Sequence, residues 1–398
     1  MADRPAFAPW MNDTNDVIKE FLAAGRVPGL INLAGGIPSP EVWPVEDIAE
    51  IAKEAVLEAT DSVLNYSPID GLPELRDAIA EKYSQGNLCL SRENVLITTA
   101  GTQGLSLVRD ILLEDGGIVA CQTPAYLGAL DAWRTRRPTY RPMALERNDL
   151  DMRAAFEGAQ FGYVVPNFSN PSGRLVERTQ REDLLGAAEA TGTWLIEDDP
   201  YSDLVFDGAP LPSLLELSAT GEDTYRGTII YMSTISKMLA PGLRVGWVIA
   251  APEIVAAMTA AKQGSDMFTS GLTQQVVLRA IEKGLLDAAR PKMVALYKER
   301  RDALLRAMAA HLTDTFDWTI PTGGMFVWAT AKDPALNTNA LMRVGLEHKV
   351  CISPSSVFDP LGQDRRSVRL NFTLNPPEML EEGIFRLKAA VQELDVSA

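Results

Sequence analysis

From residue 94 to residue 250, short apolar runs alternate with amphipathic helical stretches. This alternation limits the possible folds more than any other feature of the chain. The runs cover residues 94–99, 117–121, 139–145, 161–165, 194–196, 228–232 and 246–250. The stretches between them place apolar residues at helical spacing, as with Leu105, Val108, Ile111 and Leu112. Strand and helix in turn over some two hundred residues build a sheet whose strands run mostly parallel. The expected fold class is α/β, with three layers: a mostly parallel sheet, helices on both of its faces, and a smaller α+β domain beside it.

The flanks support that division. Residues 1–45 are rich in proline, with a short helical piece at 16–24 and a short strand at 31–33 that ends in Gly35-Gly36. Helices are expected at 45–60 and 71–83, the second begun by Pro73. Beyond residue 250 the chain turns helical, with helices from 273 and over 292–311, 339–347 and 377–393. Strands are expected at 324–328 and 368–372. The large domain is expected to span 45–285. Residues 1–44 and 286–398 form the N-terminal segment and the small domain.

A net charge of −16 argues against nucleic acid or an anionic membrane surface as partner. No apolar run approaches the ~20 residues of a membrane span. Cys89, Cys121 and Cys351 are far apart and odd in number, which suits a reducing compartment. The N-terminus lacks a basic stretch followed by an apolar one. Together these features predict a cytoplasmic protein. His311 and His348 have no companions at metal-ligand spacing, so no metal is expected.

In parallel sheets, ligands gather beyond the carboxyl ends of the strands. Gly101, Tyr126, Asn170, Asp198 and Lys237 all follow an apolar run. The densest stretch is 231–246, YMSTISKMLAPGLRVG. It sets Lys237 among Ser233, Thr234 and Ser236, with Arg244 after a Pro241-Gly242 turn. Such a lysine can form a Schiff base with a carbonyl cofactor, and the hydroxyls and arginine can hold a phosphate. The stretch 100–104, AGTQG, opens a helix after a strand and offers free N–H groups to an anion. A pyridine carbonyl cofactor also needs a carboxylate at the ring nitrogen, donors to the ring oxygen and a flat neighbour. Asp198, Tyr201 with Asn170, and Tyr126 supply these types. Taken singly, Asp198 and Asp199 also suit a turn or cap, Asn170 an Asx turn before Pro171, and Arg369 a salt bridge at the core's edge.

The motifs INLAGGIPSPEVWP, NYSPIDG, SNPSG, EDDPY, SKMLAPGLRVG and VRLNF follow one another along nearly the whole chain. In this order they resemble the fold-type-I, class I/II pyridoxal-phosphate aminotransferases, above all the α-aminoadipate and kynurenine aminotransferase branch. The resemblance implies pyridoxal 5'-phosphate as cofactor, with Lys237 forming the internal aldimine and shuttling the proton. It implies that Asp198 pairs with the pyridine nitrogen and that Tyr201 and Asn170 bond the ring oxygen. Tyr126 would stack on the ring. Gly101, Thr102, Thr234, Ser236 and Arg244 would hold the phosphate. Tyr66 would reach the phosphate of a partner in a homodimer with shared active sites. Arg369 would clamp the substrate carboxylate, helped by the backbone at Gly36. The sequence departs from the family pattern in AGTQG for GSQQ, TISK for SFSK and NPSG for NPTG. Lys19 stands where the branch that accepts acidic side chains carries an arginine. The implied reaction is ping-pong transfer of an amino group from an L-amino acid to a 2-oxo acid. β-Elimination, decarboxylation, racemisation and oxidation on the same scaffold remain open. A regulatory sensor domain of winged-helix type is a more distant alternative. The first motif, at 32–38, leaves little room for a DNA-binding domain before it, and the acidic charge points the same way.

Overall fold

The alternation folds as a seven-stranded sheet in the computed structural model, which describes residues 7–12, 28–147, 149–221 and 224–397. After β1 (Ile31–Asn32) come β2 (Val95–Thr98), β3 (Ile118–Gln122), β4 (Thr139–Met143), β5 (Phe161–Val164), β6 (Trp194–Asp198), β7 (Ile229–Thr234) and β8 (Gly246–Ile249). The order across the sheet is β2-β8-β7-β6-β5-β3-β4. From β7 to β4 all neighbours are parallel, while β8 runs antiparallel to both β7 and β2. Strands β2, β5 and β8 are buried along their whole length, as expected where helices cover both faces.

Two strand ends lie further along the chain than the periodicity predicts. β6 continues to Asp198, which pairs with Met232, and β7 to Thr234, which pairs with Gly246. Asp198 therefore ends its strand rather than following it. Gly101 and Thr102 lie in the first turn of helix Ala100–Leu112. Helix Arg178–Thr191 closes at Gly192, whose φ of 66° suits the left-handed cap.

The remaining strands are β9 (Phe316–Trp318), β10 (Phe326–Ala331), β11 (Val350–Cys351), β12 (Ser353–Pro354) and β13 (Ser367–Asn371). A four-stranded antiparallel sheet has the order β12-β13-β10-β9, while β11 pairs in parallel with β1. The N-terminal strand is thus tied to residues more than three hundred positions away. One apolar core runs from Ile31 and Leu33 through both large sheets to Val391. The helix expected from 292 begins at Leu285 and runs through Pro291. Pro291 is the seventh residue of this helix, so it removes one backbone bond and crowds the carbonyl of Asp287, a local cost set against the packing of twenty further helical residues. The helical piece expected at 16–24 lies outside the described residues.

Gly71 shows how tightly the loops at the sheet's edge are set. Its φ is 107°, and a methyl group there would run into the Ile97 side chain of β2. The next residue donates from its N–H to Gln274 Oε1 at 2.8 Å. Gly71→Ala is expected to cost about 2–3 kcal/mol through strain and overpacking. In urea unfolding the midpoint should fall with the slope unchanged; an unmoved midpoint would contradict this account.

Candidate active site

At the end of β7, Thr234 opens a single 3-10 turn, Ile235–Lys237. Its hydroxyl accepts from the Ser236 N–H at 3.2 Å. The Thr234 and Ser236 hydroxyls lie 2.8 Å apart, and Thr234 also donates to the Val245 carbonyl at 3.0 Å. This turn fixes the root of Lys237, which is half-buried and whose Nζ donates to the Gly36 carbonyl at 2.8 Å. Burial, followed by the charges of Arg369 and Arg244, lowers the Lys237 ammonium to about 8. The backbone at Gly36 therefore faces the amine with its carbonyl, where the sequence suggested help for a substrate carboxylate. A side chain at Gly36 would press on the Phe326 ring, with Cβ 2.9 Å from Cζ.

One strand over, Asp198 is buried and accepts a hydrogen bond from the Tyr163 hydroxyl at 2.7 Å. Burial raises its carboxyl to about 6. Asp199 pushes the same way and the Tyr163 bond opposes it. The flanking acids point elsewhere, as alternation along a strand requires. Glu197 accepts from the Leu214 and Leu215 N–H groups, each at 3.0 Å. Asp199 accepts from the Ser202 N–H at 3.1 Å and the Tyr231 hydroxyl at 3.0 Å. The turn-and-cap role therefore falls to Glu197 and Asp199.

Arg369, on β13, reaches the same region from the second sheet. Nη1 donates to Asn170 Oδ1 at 2.6 Å, and Nη2 donates to the Ala34 carbonyl and to Ser353 Oγ at 3.3 Å. Its guanidinium lies between the rings of Phe326 and Phe358, 4.4 and 4.6 Å from their centroids. These hydrogen-bond partners are all neutral oxygens, and among the described residues the buried Nε has no partner. Burial lowers this guanidinium to about 10. Asn170 also shares a hydrogen bond with Tyr201, which is buried. Tyr126 precedes helix Leu127–Trp133 and bonds the Thr102 side chain.

Glycine at position 246 joins the phosphate-type turn to the lysine turn. Gly246 pairs with Thr98 on one side and with Thr234 on the other. A Cβ there would come 2.9 Å from the Ser233 carbonyl oxygen and 3.0 Å from the Ala100 backbone. The start of helix Ala100–Leu112 can therefore lie directly against the end of β7. Arg244, with a left-handed φ of 54°, is exposed two residues earlier and donates to the Pro241 carbonyl at 3.1 Å.

The fold thus gathers Lys237, Asp198, Tyr201, Asn170, Tyr126, Gly101, Thr102, Thr234, Ser236, Arg244, Arg369 and Gly36. Tyr66 stands apart within one chain. It is 79% exposed and packs edge-on against Phe268 at 5.7 Å. Lys19 lies outside the described residues. Sequence reasoning missed Tyr163, Ser353, Phe326 and Phe358. For Tyr163 there was a signal, a lone hydroxyl inside the apolar run 161–165. Among the described residues no cluster suits a metal ion, and no helix is long and apolar enough to cross a membrane. An amine just past the end of one strand, a buried carboxylate at the end of the next, an arginine bonded to neutral oxygens, hydroxyls and a helix start form a donor set that fits a phosphorylated pyridine carbonyl.

Comparison with known proteins gives the family. Residues 28–387 match the family model for aminotransferase class I and II. The chain is 35% identical over 382 residues to the 2-aminoadipate transaminase of Thermus thermophilus, covering 95% of this chain and 94% of that protein. It is 33% identical over 387 residues to aromatic-amino-acid aminotransferase 1 of Thermococcus litoralis, covering 94% and 91%. The kynurenine aminotransferase of Pyrococcus horikoshii, crystallised in complex with PMP, superposes with a TM-score of 0.89. There the identity is 30%, with 98% of this chain and 97% of that one covered.

The chemistry of Lys237 can be tested directly. In the full chain stripped of cofactor, competitive acetylation of Lys237 should titrate near 8, well below the ordinary lysine value of about 10.4. Arg369→Met should move the midpoint upward by removing a facing charge. A wild-type midpoint at the ordinary value would overturn this picture of the site.

Proposed function

The chain belongs to the class I and II aminotransferases, and from that premise we propose that it moves the amino group of an L-amino acid to a 2-oxo acid in a two-stage, ping-pong exchange, with Lys237 as the amine that carries the cofactor. The enzyme is a pyridoxal-phosphate-dependent transaminase. When bound, the cofactor supplies a carbonyl that accepts the amino group and a ring that withdraws electrons from the substrate's α-carbon. The observation that carries the reading is that, among the described residues, Lys237 Nζ bonds only the Gly36 carbonyl, that buried Asp198 ends the neighbouring strand, and that Arg369 bonds neutral oxygens.

Each residue then has a role set by its chemistry. With its ammonium lowered to about 8, Lys237 has a usable neutral fraction near pH 7 and can take and return the α-proton. Asp198 would hold a proton on the ring nitrogen, and that cation would in turn keep the carboxylate ionised despite its burial. Tyr163 fixes the carboxylate's other face. Tyr201 and Asn170 would bond the ring oxygen, and Tyr126 would lie against the ring. Gly101, Thr102, Thr234, Ser236 and Arg244 would hold the phosphate. Arg369 would grip the substrate carboxylate with its fork, its plane already set by Phe326 and Phe358. Tyr66 would serve a second copy, so the working unit would be a homodimer. Exposed Leu57, Leu64 and Met267 are further apolar side chains for such a contact. In the same reading, residues 45–285 form the cofactor-binding unit, and residues 1–44 with 286–398 bring the substrate clamp.

The relatives are named for aminoadipate, aromatic amino acids and kynurenine, so those donors are the first to assay. The purified enzyme should absorb near ~420 nm, shift to ~330 nm with a donor, and recover with a 2-oxo acid. Lys237→Ala should not cycle. Release of ammonia in place of recovery would move the reading to elimination chemistry. Arg369→Lys should lower kcat/KM about a hundredfold while leaving the cofactor band unchanged, because lysine lacks the fork. A change smaller than about threefold would remove Arg369 from substrate binding.

A further inference from the structure

Lys262 takes no part in the chemistry above, yet it is wholly buried within the helix Pro252–Gln263. Its ammonium pairs with Asp266 at 2.6 Å. The other carboxylate oxygen of Asp266 accepts from the Thr99 hydroxyl at 2.7 Å. Gln103 Oε1 accepts from the Thr99 N–H at 2.7 Å. Thr269 adds its hydroxyl 3.1 Å from that of Thr99.

Thr99 is the N-cap of helix Ala100–Leu112. A threonine there usually turns its hydroxyl onto the N–H of the second or third helical residue. In this helix those residues are Gly101 and Thr102, and Thr99 makes no such bond. Its hydroxyl is committed to Asp266 instead. We propose that Asp266, anchored by Lys262, is a positioning residue that holds the Thr99 hydroxyl away from the helix start, so that the Gly101 and Thr102 N–H groups stay open for the cofactor's phosphate. The proposal rests on the phosphate seat assigned above.

The test compares pyridoxamine 5'-phosphate with pyridoxamine. Neither needs the bond to Lys237, and only the first carries a phosphate. Calorimetric titration of the full chain, stripped of cofactor, gives the affinity ratio of the two. Replacing the pair by apolar residues, Lys262→Met with Asp266→Leu, avoids leaving a buried charge alone and releases the Thr99 hydroxyl. The affinity for pyridoxamine 5'-phosphate should fall about tenfold, near the worth of one N-cap bond, and that for pyridoxamine should not change. Adding Thr99→Ala to this variant removes the competing cap and should restore the ratio. Should the double variant fail to fold, Lys262→Met with Asp266→Ala, which also leaves no buried charge alone, reads the same ratio. An unchanged ratio, an equal loss for both ligands, or no recovery with Thr99→Ala would overturn the proposal. A wild-type chain with no preference for the phosphorylated ligand would overturn the phosphate seat itself.

Discussion

Three cationic side chains, Lys237, Arg244 and Arg369, converge at the ends of the central strands, and their mutual repulsion in a partly dry setting is the constraint that the surrounding structure answers. Burial keeps water from screening Lys237 and Arg369, while Arg244 stands exposed at the rim. Each is held by a backbone oxygen: Gly36 for the lysine, Pro241 for Arg244 and Ala34 for Arg369. Carbonyl dipoles position a cation without cancelling its charge, so the field stays available to a ligand. A molecule with a phosphate at one end and a carboxylate brought by its substrate meets that field at two points. The preorganisation is electrostatic as much as geometric.

The scaffold reaches this arrangement through the register of a few strands. β6 and β7 end side by side, which puts Asp198 next to the turn that carries Lys237. The antiparallel insertion of β8 between β7 and β2 brings the start of helix Ala100–Leu112 to the same edge. That approach is possible because Gly246 has no side chain to meet the Ala100 backbone. Three consecutive buried acids then divide the work. Glu197 and Asp199 fix the loops around them, and Asp198 alone is directed to the site.

Most of the large sheet was legible because β2, β3 and β5 to β8 each contain an apolar run bounded by turn residues, while edge strand β4 carries Arg141 and Pro142. The strand ends were less so. Asp198 and Thr234 read as loop by composition, and only pairing with the next strand extends β6 and β7 over them. β11 and β12, with two residues each, carry no periodicity, and Ser353 was invisible for that reason. The helix expected over 292–311 starts seven residues earlier, at Leu285, and runs through Pro291. The site's charged and hydroxyl groups could be recognised from residue type and order. Their supports, such as Tyr163 beside Asp198, depend on which side chains cross from one strand to the next.

The bond between Lys237 and Gly36 spans two hundred residues, and Arg369 closes on Ala34 from still further away. The reactive amine and the anion clamp are thus brought together by the first and last parts of the chain, while the sheet between them is made of nearer neighbours. During synthesis, a chain that has emerged only as far as β8 already contains Lys237, Asp198 and the helix start, but no residue of β10 or β13. In the reading proposed above, such an unfinished chain would hold the amine that carries the cofactor and lack the arginine that grips the substrate. Competence arrives with the last thirty residues, when β13 pairs with β10 and seals the N-terminal segment in place.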